Sequence, residues 1–587
     1  MASFLEAWRV SLSSLDFRRL ATKRAVLGLA CVLALRPFTF PLRPFAPPPL
    51  RIAIAQIGIV SRWPDNLQKI LEYIDKAADE QCRVVVFPEG ALRELKAPDH
   101  PETLAALETV SQAAARRKVY VMLGVFSAAE AGRRGFNWMV VFDPDGRELF
   151  RYTKLYDRRD SPLPRVFYID GIPCTAIICA DRWLRAVEDL PVMDGAQVSF
   201  ELSDNFESEW VPELGWYWYV ARALRNNIYV VFANSATTQG ISGRHGHSAV
   251  IDPEGGLAAA TYDACEQLVI STIDISRATR AEAERRRTHQ AFKEFWDRGA
   301  RLREGKPVRT AGWKRYESPE IPLTIAVAQV LVSTSPDHNL AHMEQVIREA
   351  AGHGADVVAF PLLSLKEEAL PRIQEAAKER GLCVIFAMSV LQDGRQLFSA
   401  FAIGPDGRLL TRYDQPVRCP ARMWFRLKGV PAVLTIGHDA LWNEIAELAA
   451  SAGAQLLFNL SGPDPVAGNL AVQASFASFR TLTTFVCPAG RGGSRIWDDL
   501  GADEEIRAAV NQTRLAPKGT APALHASFAA NCVVQAGPGE EIIYATRTVN
   551  RENPFREDSK NPQMKPWYSF GAQTITGCGE EPGAARE

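Results

Sequence analysis

The chain has 587 residues, 47% of them apolar and 23% charged, with a formal net charge of −1. This length exceeds one ordinary core and implies two large domains or more, while the near-zero charge excludes an electrostatic case for nucleic acid. Ten cysteines without CxxC spacing exclude a disulfide framework and a zinc site, and read as reduced thiols in a cytoplasmic protein.

Residues 1–50 form a separate segment. Arg18, Arg19, Lys23 and Arg24 precede the apolar run 25–35, which is too short to span a bilayer as a straight helix. The long lead before the run and the lack of a small-residue cleavage site argue against a signal peptide. Two readings remain open: a helix packed on the first domain, or a basic and apolar anchor giving peripheral membrane contact. The proline-rich stretch after the run reads as linker.

From Arg51 onward the pattern is α/β. The strand "RIAIAQIGI" leads to an amphipathic helix over 67–78 and then to the strand "VVVFP", which ends at Glu89. A helix over 101–117, the strand "VYVMLGVF", the strand "ELFRYT" ending at Lys154, and "CTAII" ending at Cys179 follow. A helix over 212–226 and the strand "IYVVFAN" come next. Apolar strands alternating with periodic helices predict layered α/β structure with helices over both faces of paired sheets.

The pattern then repeats. "RIAIAQIGIV" matches "LTIAVAQVLV" from Leu323, with Gln56 against Gln329. "VFDPDGRELFRYTK" matches "AIGPDGRLLTRYDQ", and "GIPCTAIICAD" matches "GVPAVLTIGHD". Constant offsets within each block predict a catalytic domain at 51–285, a linker at 286–320, a second copy at 321–545 and a tail at 546–587. The arginine-rich run from Arg277 reads as a solvated helix between the domains.

Three reactive side chains sit at strand ends, where α/β proteins build sites on a rigid sheet. A cysteine needs thiolate character to attack a carbonyl, a carboxylate can take its proton, and a lysine can stabilise charge on the substrate oxygen. The second copy carries Leu362 for Glu89, Gln415 for Lys154 and Gly437 for Cys179, so all three reactive groups are lost together. His245 and His247 lack a carboxylate partner at metal-binding spacing, and no metal is expected.

The motifs "FPEG", "RYTKLYD" and "ICADRW" resemble, in order, the signatures of the nitrilase superfamily of carbon–nitrogen hydrolases. The segments "ARALRNNIYVVFANSA" and "GHSAVIDPEGG" are similar to its distal half. The resemblance implies two tandem α-β-β-α sandwich domains, the second degenerate and paired with the first as an intramolecular pseudo-dimer. It also implies a Glu89-Lys154-Cys179 triad that needs no cofactor and forms a Cys thioester, with an oxyanion donor at the Ala180 N–H. The expected function is hydrolysis of a small linear amide or N-carbamoyl compound, because Ala180 and Asp181 follow the cysteine where nitrile-cleaving members carry Trp-Glu. Acyl transfer to an amine and a non-catalytic scaffold are the alternatives, and a homo-oligomer is expected. Pro162 stands where amidases of the family place a second Glu, which makes Asp160 a candidate for that role. The strand after the nucleophile reads "QVSFELSDN" instead of ending in Pro-Ser, so Glu201, Ser203 and Asn205 are candidate substrate contacts.

Overall fold

Strand β1 (Leu50–Gln56) is apolar on both faces because both faces are covered: Ile52 and Ile54 enter one core, Ala53 and Ala55 another. The two isoleucines each contribute about 1.5–3 kcal/mol when fully buried. A computed structural model describes residues 49–577, except 129–134, 159, 213, 239–242, 307–315, 393, 417–418, 463, 467, 479–480, 491–492, 499–531 and 550–562. The N-terminal segment with its candidate membrane anchor lies outside the described residues, as does the end of the tail.

The first half continues through α1 (Trp63–Asp79), β2 (Val84–Val86), β3 (Leu92–Leu95), α2 (Pro101–Arg117), β4 (Tyr120–Ser127), β5 (Asn137–Phe142) and β6 (Glu148–Thr153). Then come β7 (Phe167–Ile169), β8 (Ile172–Ile178), α3 (Arg185–Met193), β9 (Val198–Ser203), α4 (Tyr217–Asn226), β10 (Tyr229–Asn234), β11 (Ala249–Ile251), β12 (Leu257–Ala260) and β13 (Gln267–Ile273). One sheet has the order β13-β1-β2-β4-β5-β6, with β3 beside β4; the other has the order β12-β11-β10-β9-β8-β7. Helices α1 and α2 cover the outer face of the first sheet, whose inner face shares a core with the second sheet, and α3 packs on β8 of that second sheet.

Helices α5 (Ala281–Thr288) and α6 (Lys293–Arg303) connect the halves. The second half runs β14 (Ile321–Gln329), α7 (Pro336–Gly352), β15 (Val357–Leu363), α8 (Leu370–Arg380), β16 (Cys383–Gln392), β17 (Arg395–Ile403), β18 (Leu409–Gln415), β19 (Trp424–Leu427) and β20 (Val430–Ile436). It ends with α9 (Asn443–Ala452), β21 (Leu456–Leu460), α10 (Leu470–Ala477), β22 (Leu482–Val486), β23 (Arg495–Asp498), β24 (Cys532–Gln535), β25 (Glu541–Val549) and α11 (Lys565–Thr576). Its sheets are ordered β25-β14-β15-β16-β17-β18 and β24-β23-β22-β21-β20-β19, the strand order of the first half.

Matching polar contacts accompany the matching order. Gln56 Oε1 accepts from the Ser248 N–H at 2.9 Å, and Gln329 Oε1 accepts from the Ser494 N–H at 3.0 Å. Helix α4 packs on α10 of the other half, and one continuous core includes residues of both.

Three expected boundaries differ. The helix expected over 212–226 begins at Tyr217, because Gly215 takes a left-handed φ of 51° that ends regular structure before it. The segment expected as linker carries α6, and α5 is solvated on one face only, because Ala283 and Arg286 are fully buried. Residues assigned to the tail contribute the end of β25 and all of α11, whose Trp567 stacks on Phe295 with ring centroids 4.3 Å apart. Among the described residues no helix is long and apolar enough to cross a membrane.

Candidate active site

Glu89, Lys154 and Cys179 each follow the end of a strand in the first half. Glu89 lies in the loop between β2 and β3, and that loop presses against β4 at Gly124. A Cβ there would sit 2.3 Å from the Pro88 carbonyl oxygen and 2.7 Å from Glu89 Cα, so only glycine lets the loop approach. Lys154 continues β6, and its N–H donates to the Asn137 carbonyl at the start of β5 at 2.8 Å.

The two side chains meet. Lys154 Nζ donates to Glu89 Oε1 at 2.6 Å, and both side chains are about nine-tenths buried. Asn137 Nδ2 donates to the same oxygen at 2.7 Å. Burial opposes the Lys154 charge, but Glu89, Cys179 and Asp157 more than offset it and raise the ammonium above the ordinary lysine value.

Cys179 caps β8 and opens a short 3-10 turn, Cys179–Trp183, at a φ of 45°, a region that L side chains rarely adopt. Burial first and then Glu89 push its thiol up to about 12, against the pull of Lys154 and Arg182. Asp181 anchors the turn from below. It accepts from the Tyr152 hydroxyl at 2.8 Å and from the Tyr156 N–H at 2.8 Å, and burial pushes its carboxyl up to about 7.

The other candidates divide. Asn205 Oδ1 accepts from the Cys179 thiol at 3.2 Å and from Arg182 Nη2 at 2.8 Å, so it touches the sulfur directly. Ser203 is fully buried, donating to Glu201 Oε1 at 2.9 Å. Glu201, expected at the substrate, is fully buried, with its carboxylate taken up by Arg182 and Arg222. Ala180 follows the cysteine within the turn, half-buried. Asp160 lies on an exposed turn and makes none of the contacts around Cys179.

Sequence reasoning missed Asn137 and Arg182. Arg182 stands three residues after the cysteine in "CADRW", and a 3-10 turn brings that spacing back over its start. Asn137 carried no local signal, because its role depends on β5 pairing with β6.

The corresponding positions of the second half hold no charge. Leu362 is in β15, Gln415 ends β18, and Gly437 opens a 3-10 turn at a φ of 35°. Gln415 Nε2 donates to Asp439 Oδ1 at 2.9 Å, and Asp439 accepts from the Tyr413 hydroxyl at 2.8 Å, as Asp181 does from Tyr152. His247 stacks on Trp210 with centroids 3.8 Å apart. Among the described residues no group of three His, Cys, Asp or Glu side chains could hold a metal ion.

Residues 51–283 match the profile of the carbon-nitrogen hydrolase family. A hydrolase in the agr operon of Staphylococcus lugdunensis is 27% identical over 154 residues, spanning 24% of this chain and 63% of that protein. The corresponding Staphylococcus aureus protein is 24% identical, spanning 39% of this chain and 91% of that one. Human omega-amidase NIT2 is 26% identical, spanning 39% of this chain and 89% of the enzyme. Among solved structures, an amidase from Nesterenkonia sp. superposes with a TM-score of 0.35 at 18% identity, covering 40% of this chain and 94% of that one. Nit3 of Saccharomyces cerevisiae superposes with a TM-score of 0.36 at 20% identity, covering 41% and 95%. Residues 51–283 carry the carbon-nitrogen hydrolase profile, and the curated proteins similar to that stretch are hydrolases, an omega-amidase among them.

Proposed function

We propose that the first half is an amidase-type enzyme that cleaves the C–N bond of a small linear amide or N-carbamoyl compound through a Cys179 thioester. One observation carries this reading: the 2.6 Å contact between Lys154 and Glu89, buried beside a thiol that both charges influence. The similarity to omega-amidase NIT2 supports the choice of amides.

In the proposed cycle Glu89 takes the Cys179 proton and the sulfur attacks the amide carbonyl carbon. The oxyanion is held by Lys154 Nζ and the Ala180 N–H. As the tetrahedral intermediate collapses the C–N bond breaks, and the departing amine takes the proton from Glu89. Glu89 then removes a proton from water, which attacks the thioester and restores the thiol. No step calls on a metal or organic cofactor.

The second half is proposed to be a degenerate copy of the first, packed on it as an intramolecular pseudo-dimer. The shared strand order, the Tyr152–Asp181 and Tyr413–Asp439 pairs, and the packing of α4 on α10 support that reading. Gly437 supports it too, since the left-handed backbone that Cys179 tolerates is occupied by glycine once no nucleophile is needed.

Incubating the intact chain with a panel of amides and N-carbamoyl compounds, with mass spectrometry and ammonia detection, tests the proposal. An acyl adduct on Cys179 with ammonia release is expected, and Cys179→Ala should lose both while keeping its circular dichroism. Turnover by Cys179→Ala would sink the assignment. Turnover that requires an added amine would replace hydrolysis with acyl transfer, and no adduct with any acyl donor would favour a scaffold.

A further inference from the structure

Lys154 is committed to Glu89, yet a second cation reaches the sulfur. Arg182 closes a ring on Cys179: its Nε donates to the Cys179 carbonyl at 3.0 Å and its Nη2 approaches Sγ at 3.5 Å. The same Nη2 donates to Asn205 Oδ1 at 2.8 Å, the oxygen that receives the thiol hydrogen. The Arg182 side chain is 9% exposed.

The guanidinium is locked from behind. Its Nη1 donates to the Tyr219 hydroxyl at 3.2 Å, and its Nη2 lies 3.1 Å from Glu201 Oε1. The other Glu201 oxygen pairs with Arg222, and Arg222 Nε donates to Glu188 Oε1 at 2.9 Å. Two carboxylates therefore face two guanidinium groups. The four charges balance, so the pairing with Glu201 holds Arg182 in place while its Nη2 edge faces the thiol. The two Nη2 hydrogens are shared among Asn205 Oδ1, Glu201 Oε1, the Ser203 hydroxyl at 3.3 Å and Sγ, so the sulfur can draw on an N–H as its charge grows without the planar fork moving.

We propose that Arg182 is a further catalytic residue of this site, whose Nη2 N–H stabilises the thiolate of Cys179 while Lys154 serves the substrate oxygen. This rests on the reading of Cys179 as nucleophile. It separates two charges that develop in turn: the first on sulfur as Glu89 removes the proton, the second on oxygen as the C–S bond forms. The titratable groups that bear on the thiol are Glu89 from the β2–β3 loop, Lys154 from the end of β6, Arg182 on its own turn, Glu209 from the turn after β9 and Tyr219 from α4. Only Lys154 and Arg182 among them are cations, and both favour the thiolate.

Alkylation by iodoacetamide tests this without a substrate. The thiolate attacks the CH2 carbon, iodide leaves with the bonding pair, and the thiol proton passes to Glu89 or to solvent. Rates at Cys179 are read from its peptide by mass spectrometry on the intact chain between pH 5.5 and 10.5. In Arg182→Gln the rate at pH 7 should fall about ten-fold or more, the change that a thiol raised by about one pH unit or more produces below its midpoint. Arg182→Lys, which keeps the charge, should stay within about three-fold of wild type. A purely structural role would lower the amount of folded protein and leave the alkylation rate of the folded fraction where it was.

An unchanged alkylation rate across that pH range in folded Arg182→Gln overturns the proposal. If that variant does not fold, Glu201→Gln replaces it: with less neutralisation of Arg182 the rate at pH 7 should rise, and an unchanged rate overturns the proposal equally. Formation of no acyl adduct on wild-type Cys179 with the amide panel would remove the nucleophile reading itself and Arg182 with it.

Discussion

Glu444→Gln should destabilise the intact chain by about 3 kcal/mol, the lower end of what breaking a buried ion pair costs. Arg286, on α5, is fully buried, and its Nε donates to Glu444 Oε1 on α9 at 3.0 Å, joining the two halves. The substitution leaves the guanidinium without its full countercharge. Two partners remain and hold the cost at the low end: Asn226 Oδ1 accepts from Nη1 at 2.8 Å, and Asp189 Oδ2 lies 3.7 Å from Nη2. Urea unfolding followed by tryptophan fluorescence is a suitable assay, since Trp296 lies under the guanidinium with its ring centroid 5.5 Å away. The companion variant Arg286→Met/Glu444→Leu removes both charges together and should fall within about 1 kcal/mol of wild type, or exceed it. The reasoning is refuted if Glu444→Gln costs less than about 1 kcal/mol, or if the double variant is as unstable as the single one.

Gly124→Ala should displace the Glu89 loop, slowing iodoacetamide alkylation of Cys179 while the second half keeps its protease resistance; an unaffected alkylation rate would count against the packing argument. His438 offers a pH test. It lies 3.1 Å from Asp464 and 3.4 Å from Glu282 of the other half, and these two contacts push its imidazolium up to about 9 from the ordinary 6.5. A folded-state value above the unfolded one means stability that is full below about pH 6.5 and lost as pH rises through about 9. Urea midpoints measured from pH 6 to 10 should fall across that window in wild type and fall less in His438→Gln; parallel curves would contradict the assignment.

Strand and helix positions were legible in the sequence because they are short-range information. A strand covered on both faces must be apolar at successive positions, so β1, β4, β8 and β10 announced themselves, and Pro101–Arg117 falls where its periodicity put it. The same signal placed the candidate reactive residues: Glu89, Lys154 and Cys179 come after β2, β6 and β8, and Leu362, Gln415 and Gly437 lie in β15, at the end of β18 and just after β20.

Charge partnership was not legible. Glu201 read as a substrate contact and became the counterion of Arg182 and Arg222. The arginine run of α5 read as a solvated face, yet Arg286 meets a carboxylate 158 residues away. Asn137 and Arg182 reach the site only once β5 pairs with β6 and the turn after β8 closes on itself. The sequence by itself determined the layers, the repeated pattern and the three strand-end side chains, because apolar periodicity constrains each segment locally. Tertiary structure alone decided which buried charges neutralise which, because a charge taken out of water must find its partner in three dimensions, and packing brings together residues that no spacing along the chain connects.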